Sequence, residues 1–108
     1  MRTNRYSVRL LSTAEQDLQD LLSFIAADNV PAALAQADRI EKKLNALSTY
    51  PPVGKIPNDE KLAPLDYRVV VVDNYLIFYK ISGKTVRVYR IMHGARDVPG
   101  LLMDLGKH

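Results

Sequence analysis

Residues 66–97, DYRVVVVDNYLIFYKISGKTVRVYRIMHGARD, hold three β-rich runs separated only by turn-sized gaps. Strands joined this closely can only fold back on their neighbours, so the stretch predicts an antiparallel meander. Its strands are expected over Leu65–Val72, Tyr75–Ile81 and Thr85–Met92. Asp73-Asn74 suits the first turn, because both residues tolerate positive φ. Ser82-Gly83-Lys84 suits the second. Val69–Val72 and Tyr75–Tyr79 are apolar on both faces. That pattern predicts central strands, covered by helices on one side and at least partly occluded on the other. The last strand runs into Arg90, His93 and Arg96, a cationic cluster at a strand end.

The upstream residues read as the cover for that sheet. Arg5–Leu11 alternates in part and predicts a short first strand. Ser12-Thr13-Ala14-Glu15 has the pattern of a capping box, in which the hydroxyl and the carboxylate each satisfy the other residue's amide. A helix is expected from there to about Ala27. Ala14, Leu18, Leu21, Leu22 and Ile25 form its apolar stripe. Asp28-Asn29-Val30-Pro31 ends it and starts a second, since proline is accepted in a first turn. That helix runs to about Ser48, with Ala33, Leu34, Ala37, Ile40, Leu44 and Leu47 on one face. The short link makes the two helices antiparallel neighbours. Residues 53–64, VGKIPNDEKLAP, carry no periodicity and predict a loop.

Charge follows this division. Residues 1–11 hold three arginines and no acid. Residues 12–48 hold three basic and six acidic groups, and residues 49–108 nine basic and six acidic. The helical part is therefore acidic and the sheet part basic, which favours an anionic partner on the sheet side. The 108 residues suit one domain spanning 1–108. With no cysteine and two histidines, neither disulfides nor a common zinc site is available, and no cofactor is expected. No apolar run approaches a membrane span, and the N-terminal residues lack a signal-peptide core. A cytoplasmic chain with no membrane association is the expectation.

Several residues are candidates for function. Arg68 precedes the valine run, where an arginine must be paired or face a groove. Its alternatives are an ion pair with Asp66, Asp73 or a helix carboxylate, or contact with a bound anion. Arg90 lies within the last strand on the same nominal face as Val86 and Val88, unless a bulge intervenes. Arg87 and Tyr89 share that strand. His93 at its end can act as an acid or base near neutral pH, or make a structural hydrogen bond. Lys55 and Lys61 in the loop could reach a phosphate or simply be solvated. Leu101 and Leu102, in LLMDLGKH, are too apolar for a free tail. They either pack on the sheet as a short helix or form a partner site. There is no glycine-rich phosphate loop and no Gly-x-Ser-x-Gly elbow. Arginine, lysine, histidine and tyrosine suit metal-free phosphodiester chemistry or plain anion binding equally well.

Three strings, SVRLLSTAEQDLQDLLSFI, DYRVVVVDNYLIFYKISGKTVRVYRI and MHGARDVPGLL, together resemble the RelE/ParE superfamily of type II toxins. The resemblance spans about Tyr6 to Leu102. It implies an α+β fold, an N-terminal helical hairpin packed on a twisted antiparallel β-sheet. It also implies an antitoxin that wraps the toxin, with operator DNA bound only through that antitoxin. One branch of the superfamily cleaves mRNA in the ribosomal A site without metal. The other acts on DNA gyrase. For a nuclease, the resemblance places Arg68 on the phosphate and His93 and Arg96 among further catalytic groups. Arg87, Tyr89, Arg90, Lys55, Lys61, Leu101 and Leu102 are then candidates for binding. The sequence departs where several nucleases carry a terminal tyrosine: Val98-Pro99-Gly100 follows here. The long hairpin and the His-Gly-Ala-Arg-Asp ending are more similar to the gyrase-directed branch.

Overall fold

The computed structural model describes residues 5–51, 54, 56 and 65–94. Six elements follow in order: β1 (Ser7–Leu10), α1 (Ser12–Ala26), α2 (Val30–Thr49), β2 (Arg68–Val72), β3 (Tyr75–Ser82) and β4 (Thr85–His93). The strands form one sheet in the order β1-β4-β3-β2. Both helices pack on one face. Ala14, Leu21, Ile40 and Leu47 from the helices meet Val70, Val72, Tyr75, Ile77, Tyr79, Val86, Val88 and Ile91 from the strands. The stripes read from the sequence do this burying, apart from Leu34, which is 68% exposed.

The expected meander is present, with β2–β3 and β3–β4 antiparallel. The sheet as a whole is mixed, because β1 pairs with β4 in parallel. The reason lies at the end of α2, where Ser48 C=O accepts the Tyr6 N–H at 2.8 Å. The chain leaves the helices at the end of the sheet where β1 began, so β2 must run in the same direction as β1. β2 is also an edge strand rather than a central one, and Val71 is 58% exposed. Its four valines misled because β-branched residues also suit an edge whose two faces are unequally covered. The face away from the helices has its own cluster. Phe78 and Met92 are buried there, with Leu65, Tyr67, Val69 and Leu76 packed around them.

Helix starts follow the physics of capping, but not at the residues expected in α1. The capping box does not form. Leu11 is the N-cap and makes no side-chain cap bond. Its N–H is already committed to Val88 C=O at 3.0 Å, and its C=O accepts the Glu15 N–H at 2.9 Å. Strand pairing thus starts the helix one residue early and leaves Ser12 inside it. In α2 the Asn29 side chain accepts from the Ala32 N–H at 3.0 Å, with Pro31 in the first turn as expected.

A bulge in β4 sets which side chains face the helices. Phe78 pairs with Arg90, but the next residue, Tyr79, pairs with Val88, so Tyr89 is the extra residue. Parity resets there, and Val86, Val88 and Ile91 all reach the helix face. Among the described residues the outer edge of β4 has no strand partner beyond Val88. α1 covers it: Thr13 Oγ1 donates to Tyr89 C=O at 2.8 Å, and Asp17 accepts the Ile91 N–H at 3.0 Å. Asp17 also accepts from Arg90 Nε at 2.7 Å and Nη2 at 3.0 Å.

Asp17→Ala leaves three donors without this acceptor. Each lost charge-assisted bond at a partly buried site is costly, so a loss of about 2–3 kcal/mol is expected in urea unfolding, with Asp17→Asn losing less. Asp73, in the β2–β3 turn at φ 55°, accepts from Arg39 Nε at 2.6 Å and Gln36 Nε2 at 3.2 Å. The Arg39 hydrogen bond holds its carboxyl below the ordinary range, helped by Gln36 and opposed by partial desolvation. A folded pKa below the unfolded one contributes stability above the unfolded value, and that stability is lost as pH falls through the folded one. Urea midpoints measured below about pH 4 should therefore fall less steeply with acid in Arg39→Ala than in the parent chain.

Candidate functional site

The β3–β4 hairpin builds the site. A two-residue turn, with Gly83 at φ 59°, pairs Ser82 with Thr85, Ile81 with Val86 and Lys80 with Arg87. Ile81 and Val86 belong to the helix side, which puts Lys80 and Arg87 together on the other. Arg68, opposite Tyr79, enters from β2. Asp66, Arg68, Lys80, Ser82, Arg87 and Tyr89 line an open cavity of about 460 Å³. Ile56 and Ile81 supply its apolar wall.

Two devices hold the cations. Lys80 Nζ lies 4.6 Å from the centre of the Tyr67 ring and 5.3 Å from that of Tyr89. The two rings meet edge to face at 5.4 Å. Ring quadrupoles attract an ammonium, so this pair fixes Lys80 without neutralising it. Burial pushes the Tyr67 hydroxyl above its ordinary pKa, Tyr89 adds to the rise and Arg90 opposes it. Tyr67 therefore stays neutral at physiological pH. Arg68 Nη1 donates to Gly54 C=O at 3.0 Å. Gly54 is itself clamped: its N–H donates to the Tyr79 hydroxyl at 2.8 Å, and that hydroxyl donates to Pro51 C=O. A buried tyrosine thus ties the chain after α2 to the sheet and orients the carbonyl that receives Arg68. Burial raises the Tyr79 pKa, with the Gly54 bond and then Arg68 opposing.

The structure brings three sequence-predicted residues, Arg68, Arg87 and Tyr89, into this cavity. Arg90 lies beside it, its guanidinium on Asp17 with side-chain exposure of 33% and 14%. His93 stands at the opposite end of β4, its ring edge-on to Tyr75 at 5.5 Å. Arg68 pairs with Tyr79 and His93 with Tyr75, four residues apart on β3. That is about 13 Å along the strand at ~3.3 Å per residue. Lys55, Lys61, Arg96, Leu101 and Leu102 lie outside the described residues. Lys80 and Tyr67 were not singled out in the sequence, although the two-residue turn at Gly83 fixes the Lys80–Arg87 pair once its length is known. Asp66, Asp73 and the helix carboxylates were the expected partners of Arg68; the bond to Gly54 C=O supplies an acceptor that no charge pattern could reveal. Among the described residues no group of three His, Asp or Glu side chains could hold a metal, and no helix is long and apolar enough to cross a membrane.

A family model described as the ParE toxin of the type II toxin–antitoxin system parDE matches residues 8–98. The hairpin, the sheet order and this match define a toxin of the RelE/ParE superfamily. Within it, the chain belongs to the ParE toxin family. Among solved structures it is similar to a chain of the chromosomal ParDE TA system from P. aeruginosa. The TM-score is 0.70 at 16% identity, covering 84% of this chain and 98% of that one. It is also similar to a chain of the toxin–antitoxin complex RelBE2 from Mycobacterium tuberculosis. There the TM-score is 0.54 at 30% identity, covering 82% and 98%. A search of curated protein sequences finds no match.

The clamp on Gly54 makes a test of the local build. A Cβ on Gly54 would overlap the Tyr79 hydroxyl and lie 2.7 and 2.8 Å from two ring carbons. Gly54→Ala should therefore destabilise more than Tyr79→Phe. The latter loses only two hydrogen bonds, about 1–3 kcal/mol together in thermal or urea unfolding.

Proposed function

We propose that the chain is a growth inhibitor acting on DNA gyrase, held inactive by a cognate antitoxin. The observation that carries this reading is the separation of Arg68 from His93. A phosphate-holding arginine and a proton-transferring imidazole must reach the same phosphodiester, within hydrogen-bond range of adjacent oxygens. Here they stand about 13 Å apart along the sheet. The cations gathered at the cavity serve recognition, and their partner is an anionic surface. The match to the ParE toxin model supports gyrase as the target. An antitoxin partner is supported by the similar solved structures, a ParDE system and a RelBE2 toxin–antitoxin complex.

A second reading is a ribosome-dependent mRNA endonuclease that needs no metal. The 30% identity to a RelBE2 chain favours it, as does the presence of Arg68 beside Lys80, Arg87 and Tyr89. In that case Arg68 holds the phosphate.

The two readings separate in paired assays on one purified sample. Gyrase supercoiling should be inhibited while mRNA on translating ribosomes stays intact. Lys80→Ala with Arg87→Ala should weaken that inhibition by at least about tenfold, as loss of two interface charges implies. Cleaved mRNA with normal supercoiling would reverse the assignment. Co-expression with a cognate antitoxin should restore growth.

A further inference from the structure

We propose that the outer edge of β2 is a docking site for an extended acidic segment of a protein partner, which joins the sheet there as a further strand. The sheet order ends at β2, so among the described residues this strand has a neighbour on one side only. Val72 pairs with Tyr75 across the two-residue turn, and a pair in that position exchanges both ladder bonds. Alternation from there turns the N–H and C=O groups of Val71 and Val69 away from β3. β2 runs for five residues, RVVVV, about 17 Å at ~3.3 Å each. It carries no proline, and Val71 is 58% exposed. The outer edge of β4 is closed by Thr13 and Asp17 of α1, but among the described residues no side chain does the same for β2. An open edge of this kind is a template for another strand.

The surroundings select the occupant. Between α2 and this edge lies an open cavity of about 380 Å³, lined by Arg39, Lys42, Lys43 and Ala46 from the helix and by Val71 and Val72 from the strand. The one carboxylate in its lining is Asp73, which already accepts from Arg39 at 2.6 Å. Lys42 lies 3.1 Å from Asp38 on its own helix, with side chains 76% and 56% exposed, and an exposed pair holds its charges loosely. Lys43 enters no ion pair among the described residues. The cavity thus has a surplus of positive charge directly beside the open edge. A second copy of the chain pairing β2 with β2 would bring both sets of lysines to one seam, where like charges repel. A strand that carries carboxylates is favoured for the same reason.

Its pattern follows as well. Side chains of an added strand alternate between the two faces of the sheet. Those on the helix side meet Lys42 and Lys43. Those on the other side continue the apolar face of Val69 and, two residues on, Val71. The occupant is therefore a segment in which acidic residues alternate with apolar ones. The lining of this cavity shares no residue with that of the Arg68, Lys80 and Arg87 cavity, so the docking holds whether the target is gyrase or mRNA.

The test is a titration of the isotope-labelled full chain with a capped peptide of alternating valine and glutamate, followed by amide hydrogen exchange. A peptide of alternating valine and lysine serves as contrast. The acidic peptide should slow exchange at the Val69 and Val71 amides and change little at Val70 and Val72, which already bond to β3. The lysine peptide should bind at least about tenfold more weakly, as its charges oppose those of the cavity. Lys42→Glu together with Lys43→Glu should invert that preference. Val71→Pro removes one outward donor, a change that an edge strand tolerates, and should weaken the acidic peptide several-fold. Unchanged exchange at Val69 and Val71, equal binding of the two peptides, or shifts confined to the cavity of Lys80 and Arg87 would overturn the proposal. Slowing of the same amides in the chain alone as its concentration rises would overturn it too, by making a second copy the occupant.

Discussion

The Asp17 carboxylate is the contact on which the arrangement of the sheet depends. One side chain accepts two guanidinium N–H groups from Arg90 and the backbone N–H of Ile91. Its position is fixed by helical geometry, one turn beyond Thr13, which takes the carbonyl of Tyr89. A strand bulge leaves backbone groups unpaired, and an uncovered edge invites pairing with another chain. Here the first turns of α1 answer both problems at once. β1 pairs with β4 only as far as Val88, and α1 takes over from there.

The bulge in turn decides what each face does. Without it, Ile91 would fall on the face away from the helices and Met92 on the helix side, since a one-residue slip exchanges faces. With it, Ile91 completes the helix-side core and Met92 joins Phe78 on the other side. Tyr89 is left at the discontinuity, where its ring meets Tyr67 and flanks Lys80. The same irregularity that needs Asp17 for stability thus supplies an aromatic wall of the basic cavity. The same reset takes Arg90 off the parity of Val86 and Val88 and sets it opposite Phe78, and its guanidinium is committed to Asp17 of α1.

Most of the elements were legible because their signals are local. Two-residue turns at Asp73 and Gly83, the 3.6-residue stripes of both helices, and Pro31 at a helix start all act within a few residues. What was not legible depends on contacts remote in sequence. The capping box at Ser12 failed because Leu11 answers to Val88, 77 positions away. The direction of β1 depends on where α2 ends, and no strand pattern encodes that. The valine run of β2 says that its faces are apolar, not that a neighbour lies on both sides. The candidate site divided in the same manner. Arg87 and Tyr89 carried visible signals in a basic strand, and Arg68 stood out as a charge beside valines. Lys80 was concealed because its place beside Arg87 is a cross-strand relation, and the four-residue offset between Arg68 and His93 along β3 likewise depends on the strand register.

Electrostatic economy links the fold to the type of protein. Residues 12–48, which carry α1 and nearly all of α2, are net acidic, and residues 49–108, which carry three of the four strands, are net basic. Within the fold the two meet at Arg90–Asp17 and Arg39–Asp73, where each pair joins a helix to the sheet. Lys80 and Arg87 are not drawn into such pairs among the described residues. Lys80 is held by ring faces, which orient a charge without cancelling its field. Two cations held this close repel one another, so an anion bound across them would be favoured.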